Sequence, residues 1–116
     1  MRHGSKVKKF GRVKSQRKAL LKSLVSSFVL HGKITSSEVK IKALRPLVEK
    51  MITKARKDDL AVKKYLASRT NKEAMRKLIS EIGPKFSQRS GGYTRITKMP
   101  RRIGDGAKMA ILSFVE

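Results

Sequence analysis

Apolar residues in the first part of the chain recur three or four positions apart. This spacing predicts an amphipathic helix that begins at Ser15, as its N-cap, and ends at Gly32. Lys33-Ile34-Thr35 follows as a short extended link that could form an edge strand. The apolar face of the predicted helix consists of Leu20, Leu21, Leu24, Val25, Phe28 and Val29.

A second helix is predicted after Thr35-Ser36-Ser37-Glu38, which has the sequence of a capping box. Pro46 lies in its middle, where proline removes one backbone hydrogen bond and crowds the preceding turn. The apolar stripe crosses Pro46 without a change of phase, so we expect a kinked but continuous helix; two helices meeting at Pro46 are the alternative. The residues predicted to face inward are Val39, Ala43, Leu44, Leu47, Val48, Met51, Ile52 and Ala55.

Two shorter helices are predicted next. Asp58 and Asp59 suit the N-terminus of a third helix. Thr70-Asn71-Lys72-Glu73 resembles a second capping box and starts a fourth helix, which Gly83-Pro84 should end. The apolar residues are Leu60, Val62 and Leu66 in the third helix, and Met75, Leu78, Ile79 and Ile82 in the fourth.

The last third of the chain has the pattern of a β-hairpin. Ser90-Gly91-Gly92 predicts a turn, residues 93–99 a strand, residues 100–106 a long loop and residues 107–115 a second strand. The second strand has apolar residues on both faces, which favours a central or well-covered position. We therefore expect an α+β fold, with four helices packed on a small antiparallel sheet and a basic extended N-terminal tail. Residues 1–14 form the tail, and residues 15–116 form a single globular domain.

The charge of the chain changes the picture most. Thirty Lys and Arg residues stand against eight Asp and Glu residues, a net charge of +22 on 116 residues. Such a chain repels itself and gains stability from a polyanion, which is not typical of a metabolic enzyme. The chain has no cysteine and two histidines far apart in sequence, which excludes a disulfide framework and a thiolate zinc site. It has neither a membrane-spanning apolar run nor the pattern of a signal peptide, so we expect a soluble intracellular protein.

The first fourteen residues contain six Lys or Arg residues and few large apolar side chains. This composition cannot bury enough surface to offset the entropy lost on ordering. We expect an arm that orders on phosphate; a disordered solubilising tail is the alternative.

The residues do not assemble a catalytic site. Asp58-Asp59, the one adjacent pair of carboxylates, suits a helix cap, and Gly91-Gly92 is not followed by the Lys-Ser/Thr of a phosphate loop. His31, before a helix-ending glycine, suits a C-terminal capping donor. In Arg102-Ile103-Gly104-Asp105 we expect the arginine to be free for phosphate and the aspartate to shape the turn. We expect no enzymatic activity, no metal, no cofactor and no small-molecule substrate.

Nucleic-acid binding remains. The chain has no aromatic RNA-recognition signature, no zinc finger and no leucine zipper, so its basic surface is expected to bind backbone shape and not base sequence. A tail of Lys, Arg and Gly suits the narrow gaps of folded RNA better than regular DNA grooves. A histone-like DNA-binding protein is the alternative. A membrane-active peptide is excluded, since the basic residues surround core-forming helices.

Several short motifs, taken together, cover nearly the whole chain in order: Met1-Arg2-His3, Gly11-Arg12, Ser15-Gln16-Arg17-Lys18, His31-Gly32-Lys33-Ile34, Leu44-Arg45-Pro46, Ile82-Gly83-Pro84-Lys85-Phe86, Arg89-Ser90-Gly91-Gly92-Tyr93-Thr94-Arg95-Ile96, Arg102-Ile103-Gly104-Asp105 and Met109-Ala110-Ile111. With these motifs the sequence resembles the family of bacterial large-subunit ribosomal protein number seventeen. Gln16 and Lys108 depart from the family pattern, which usually has His and Pro there.

The resemblance implies a structural, non-catalytic constituent of the large subunit of the cytoplasmic ribosome. It would bind large-subunit ribosomal RNA near the exit of the nascent-chain tunnel and contact neighbouring ribosomal proteins, with no membrane partner. We expect the RNA contacts to come from the tail, the start of the first helix and the hairpin. The predicted RNA-binding residues are Arg2, His3, Lys6, Lys8, Lys9, Arg12, Lys14, Arg17, Lys18, Lys22, Arg95, Arg101 and Arg102.

Overall fold

A three-stranded antiparallel sheet with helices packed on one face organises the molecule. The computed structural model describes residues 13–57 and 59–115. A continuous helical segment over residues 72–85 forms the fourth helix, so the predicted α+β class is confirmed. The elements in chain order are α1 (Lys14–His31), β1 (Lys33–Ser37), α2 (Glu38–Ala55), α3 (Leu60–Arg69), α4 (Lys72–Lys77), a π-helical turn (Leu78–Ile82), α5 (Gly83–Lys85), β2 (Thr94–Met99) and β3 (Met109–Phe114).

The sheet has the strand order β1-β3-β2, with both pairs antiparallel. The last strand is therefore central, and β1 is an edge strand, as the sequence predicted. Leu112 pairs with Ile34 on one side and Ile96 on the other, and this face of the sheet meets the helices. The face with Ile111 points the other way, since successive side chains of a strand alternate.

The core lies between the sheet and the helices. Its aromatic centre joins α1 to the end of the chain: the ring centroids of Phe28 and Phe114 are 4.4 Å apart, and those of Phe86 and Tyr93 are 5.2 Å apart. Apolar area removed from water on this scale is the main favourable term in folding. The core residues are Val25, Phe28, Val29, Ile41, Leu44, Val48, Met51, Ile52, Ala55, Val62, Leu66, Ala74, Leu78, Ile82, Phe86, Tyr93, Ala110 and Leu112.

The first helix ends as predicted and begins two residues earlier than predicted. Gly32 adopts a left-handed conformation with φ 81°, and its N–H donates to the carbonyl of Phe28. Ser15 is not the N-cap: Val13 is, and it makes no side-chain capping bond. The helix starts at Lys14 because the N–H of Arg17 already reaches the carbonyl of Val13, at 2.9 Å.

The second helix is continuous through Pro46, so the alternative of two helices is wrong. The predicted capping box before it is also wrong. Residues 33–37 pair with β3, and Ser37 caps without a side-chain bond. Val39, predicted inward, is 53% exposed, and Ile41 is buried in its place. The buried stripe runs through Ile41 and Leu44 to Ala55, and Val39 lies on a different side of the helix from this stripe.

The two following helices use side-chain caps. Asp59 accepts a hydrogen bond from the N–H of Val62 at 2.9 Å, which confirms its predicted capping role. Asp58 lies outside the described residues. Of the apolar residues predicted for the third helix, Val62 and Leu66 are buried and Leu60 is 68% exposed. The fourth helix is capped by Asn71, which accepts from the N–H of Ala74.

The second predicted capping box is wrong by one residue. The buried Thr70 hydroxyl donates backwards to the carbonyl of Leu66, at 2.7 Å, and so does not cap the fourth helix.

Gly83-Pro84 does not end the fourth helix, contrary to prediction. The N–H of Gly83 donates to the carbonyl of Leu78, which closes a π-helical turn. Because proline lacks an N–H and its ring crowds the carbonyl four residues back, the wider turn before Pro84 lets the helix continue to Lys85.

Glu49 of α2 fastens the start of β2. Its carboxylate accepts from the N–H of Tyr93 at 3.0 Å, from the N–H of Thr94 at 3.2 Å and from the hydroxyl of Thr94 at 2.8 Å. The Tyr93 hydroxyl lies 3.1 Å from the hydroxyl of Thr53 and accepts from Arg56. These bonds fix the direction in which β2 and the following hairpin leave the helices.

Candidate nucleic-acid interface

The first turns of α1 carry exposed lysines with no acidic neighbour in the first turn. Lys14, Lys18 and Lys22 are spaced four residues apart, so they lie on one side of the helix, and all three are exposed. Arg17, between them, is half-buried. Unpaired N–H groups at a helix N-terminus and the helix dipole both favour an anion, and the lysines add to that field.

A groove lies beside these lysines, between α1, α2 and α3. It has a volume of about 420 Å³ and a floor that includes Leu21, Val25, Leu47 and Met51. Lys18, Lys22 and Arg69 also line this groove, so it has a basic rim over an apolar floor.

Arg69 is held in place by its neighbours. Its guanidinium lies 4.1 Å from the ring centroid of Tyr65, and it donates to the hydroxyl of Ser68. The ammonium of Lys54 is also within 4.7 Å of the Tyr65 ring. Two cations over one aromatic ring give this region a fixed positive charge.

The hairpin arginines are engaged within their own loop. Arg102 was expected to be free for phosphate, and this is wrong: its Nε and Nη2 donate to the two carboxylate oxygens of Asp105, at 3.1 and 2.6 Å. The bidentate geometry of the pair arises because the planar guanidinium matches a carboxylate. Arg101 donates to the carbonyl of Gly106, at 2.9 Å. Both arginines remain exposed.

The pKa of Asp105 is lowered to about 2, first by the hydrogen bond from Arg102 and second by the N–H of Ala107. The same pair raises the pKa of Arg102. The predicted turn role of Asp105 is confirmed, because its carboxylate also accepts from the N–H of Ala107.

Arg95 lies on β2, outside the hairpin loop. It pairs with Ser113 of β3, and Ser113 pairs in turn with Lys33 of β1. Arg95 and Lys33 therefore flank one residue of the central strand on the same face of the sheet. Lys33 was not among the predicted site residues. Its relation to Arg95 depends on the strand register, which a single sequence does not reveal.

The six predicted site residues of the tail lie outside the described residues. These are Arg2, His3, Lys6, Lys8, Lys9 and Arg12.

Several carboxylates of the described residues are engaged in internal contacts. Glu38 pairs with Lys42 at 2.9 Å, which lowers the pKa of Glu38, and Glu49 fastens β2. Asp59 caps α3 and Asp105 holds Arg102. Residues 13–57 and 59–115 contain no group of three His, Cys, Asp or Glu side chains that could hold a metal ion. None of their helices is long and apolar enough to cross a membrane.

These features define a class: a small, strongly cationic α+β protein in which Glu38, Glu49, Asp59 and Asp105 are engaged in internal contacts and exposed cations lie on α1, the sheet and a hairpin. Comparison with known proteins gives the family. Residues 20–115 match the family model of ribosomal protein L17. The large ribosomal subunit protein bL17 of Hydrogenobaculum sp. (strain Y04AAS1) is 52% identical over 118 residues, with both chains fully covered.

Other bL17 proteins are nearly as similar. That of Persephonella marina is 49% identical, covering 100% of this chain and 96% of its own. That of Shouchella clausii is 45% identical, covering 92% and 97%. The chain belongs to the ribosomal protein L17 family, as its sequence motifs indicated. Members of this family are structural components of the large subunit of the bacterial cytoplasmic ribosome and not enzymes, and the histone-like alternative has no support.

Proposed function

We propose that this chain binds large-subunit ribosomal RNA and staples its segments together near the exit of the nascent-chain tunnel. The observation that carries the proposal is the exposed row of Lys14, Lys18 and Lys22 on a helix whose first turn has no acidic residue and no side-chain cap. The predicted cations of residues 1–12 precede this row directly, so the tail and α1 form one continuous basic segment.

The binding is driven by charge neutralisation. Each phosphate that meets a lysine or arginine releases condensed counterions, which favours the complex at low salt. The hairpin supplies a second contact through Arg101 and Arg102, whose planar guanidinium groups suit bidentate phosphate contacts. Arg102 must then exchange one partner, Asp105, for a phosphate oxygen. Ribosomal RNA and neighbouring ribosomal proteins are the partners that family membership supports.

The location at the tunnel exit can be tested because the chain has no cysteine. A Ser15→Cys variant places one thiol on the exposed start of α1, and an iron chelate on that thiol cleaves nearby RNA with hydroxyl radicals. In reconstituted large subunits we expect cleavage of the ribosomal RNA that surrounds the tunnel exit, and none with the cysteine-free parent treated identically. Cleavage confined to RNA remote from the exit would overturn the location.

The role of α1 in RNA binding can be tested with a triple Lys14→Gln, Lys18→Gln, Lys22→Gln variant. Its matched control is Lys50→Gln, Lys57→Gln, Lys64→Gln, which removes three exposed lysines from α2, α3 and the segment between them. We expect the α1 variant to lose affinity for a large-subunit RNA fragment by at least tenfold more than the control. Equal losses would mean that only the net charge matters.

A further inference from the structure

One face of the sheet is uncovered in the described part of the chain. Residues that pair directly across strands share a face, so the register gives three rows on the side opposite Leu112. Helices α1 and α2 pack on the Leu112 side, where Phe114 meets Phe28 and Thr94 meets Glu49. We call the nine residues of the other side the open sheet face: Lys33, Ser113 and Arg95; Thr35, Ile111 and Thr97; Ser37, Met109 and Met99.

The open sheet face combines cations, hydroxyls and an apolar centre. Lys33 and Arg95 form a cationic row at one end, and both are exposed. Ile111 and Met109, on the central strand, are only half-buried, and Met99 beside them is 41% exposed. The other four residues are serine or threonine, and none of the nine is acidic. Half-exposed apolar residues on a central strand indicate a surface that a binding partner covers.

We propose that single-stranded RNA docks on the open sheet face, with riboses and bases against Ile111 and Met109 and phosphates at Lys33 and Arg95. This inference rests on the proposed binding of ribosomal RNA and names a surface for it beyond α1 and the hairpin. The strand spacings make the face about 10 Å wide and about 13 Å long between outer Cα atoms. Unpaired bases are planar and apolar on their faces, so they can cover aliphatic side chains while the threonine hydroxyls bond to their edges or to ribose.

The charge of the open sheet face favours single-stranded RNA as its ligand. The chain's own residues 1–12 are cationic and would be repelled by Lys33 and Arg95. An RNA duplex presents its phosphates outermost and its bases stacked inside, so it could meet the cationic row but could not cover Ile111. A single strand supplies both a negative backbone and apolar base faces.

The test is methyl NMR on the full chain, with isoleucine and methionine methyl groups labelled. The probes are an oligouridylate of about ten nucleotides and an RNA duplex of equal phosphate number. We expect the single strand to shift the methyl signals of Ile111 and Met109, and the duplex to leave them in place. Ile41 and Ile52, both buried in the core, are the internal references.

Neighbouring cations on opposite faces of β2 give a matched pair of variants. Arg95 lies on the open sheet face, whereas Lys98 pairs with Ala110 on the other face and is exposed. We expect Arg95→Gln to weaken oligouridylate binding by about tenfold relative to Lys98→Gln, because only Arg95 would lose a charge-assisted contact. The two variants lose the same net charge, so their difference reports the local contact.

The outcomes separate the two proposals. Binding of the oligonucleotide without shifts at Ile111 and Met109 would overturn the open sheet face as an RNA site and leave the function intact. Equal shifts with the duplex would also overturn it, since the face would then not require unpaired bases. If neither RNA shifts these signals, a neighbouring protein is the occupant that fits the face instead. Failure of both RNAs to bind at all would contradict the proposed function itself.

Discussion

Single residues decide how closely the helices approach one another, and Gly83 is the clearest case. A Cβ atom built on Gly83 would lie 2.4 Å from the carbonyl oxygen of Ala55 and 3.1 Å from that of Leu78. Both neighbours are backbone atoms, so relief would require the end of α2 and the π-helical turn to move apart. The glycine is therefore needed for close approach, at a backbone conformation that other residues adopt readily.

Gly83→Ala is expected to lower the free energy of unfolding by about 1–3 kcal/mol, as overpacking of a close contact does. Gly91→Ala is the matched control, because nothing lies within 4 Å of a Cβ at Gly91. The control should stay within about 0.5 kcal/mol of the parent. Urea denaturation of the three proteins measures both values, and equal stability of the two variants would show that Gly83 does not limit the packing.

The Arg102–Asp105 pair predicts a titration at low pH. The pKa of Asp105 is lowered from its ordinary 3.8 to about 2. A carboxylate with a lowered pKa contributes stability that is present above 3.8 and lost as the pH falls toward 2. An NMR titration of the Asp105 carboxyl carbon should have its midpoint near 2, and Arg102→Gln should move it upward toward 3.8. A midpoint near 3.8 in the unchanged protein would contradict the pair in solution.

At the scale of elements, the helical stripes were predictable and several helix ends were not. The buried stripe through Leu44, Val48 and Met51 depends only on spacing within one helix, so its prediction was correct although Pro46 lies in that helix. The predicted caps at Thr35 to Ser37 failed because these residues pair with β3, more than 70 positions away in sequence. The helix continues past Gly83 through a π-helical turn, which the spacing of the apolar residues did not indicate. Strand pairing between distant residues is likewise not visible in a local pattern.

In the candidate site, too, features within one element were predictable and contacts between elements were not. The lysines of α1 could be predicted from spacing and charge alone, because they lie on one helix. The juxtaposition of Lys33 with Arg95 could not, since it requires the register of both edge strands with β3. The bidentate pairing of Arg102 with Asp105 was missed because it depends on the conformation of the loop between them. Gly104, with φ 111°, turns the loop so that the two side chains meet.

The hairpin as an element is expected to matter for RNA binding more than for folding. Arg101→Ala with Arg102→Ala should leave the melting temperature nearly unchanged, since exposed ion pairs contribute little and a chain of +22 loses self-repulsion. Affinity for a large-subunit RNA fragment should fall by about tenfold or more. The control is Lys50→Ala with Lys64→Ala, which removes two exposed charges from α2 and α3.

A third variant distinguishes whether Arg102 binds RNA or only pairs with Asp105. Asp105→Asn keeps both arginines and removes the competing carboxylate, so RNA affinity should rise. If affinity is the same in the parent, in Asp105→Asn and in the double alanine variant, the hairpin faces solvent and the second contact lies elsewhere, most simply on the start of α1.

For the whole molecule, charge joins stability to function. The chain carries 30 basic and 8 acidic residues, and carboxylates such as Glu49 and Asp59 are engaged in fastening β2 and capping α3. The remaining positive charge opposes compaction, and a bound polyanion relieves it. Because a ligand that binds only the folded state raises the free energy of unfolding, RNA should stabilise this protein as well as be bound by it.

The most direct test of this account is the salt dependence of RNA binding. For contacts with about eight phosphates, a plot of log affinity against log salt concentration should have a slope of about −5 to −8, since each phosphate contributes about 0.7 to 0.9. The measurement titrates a folded large-subunit ribosomal RNA fragment with the full chain at several salt concentrations. A slope in that range is the result that charge neutralisation predicts, and a slope near about −1 would contradict it, because a single released counterion cannot drive a staple built from the tail, α1 and the hairpin.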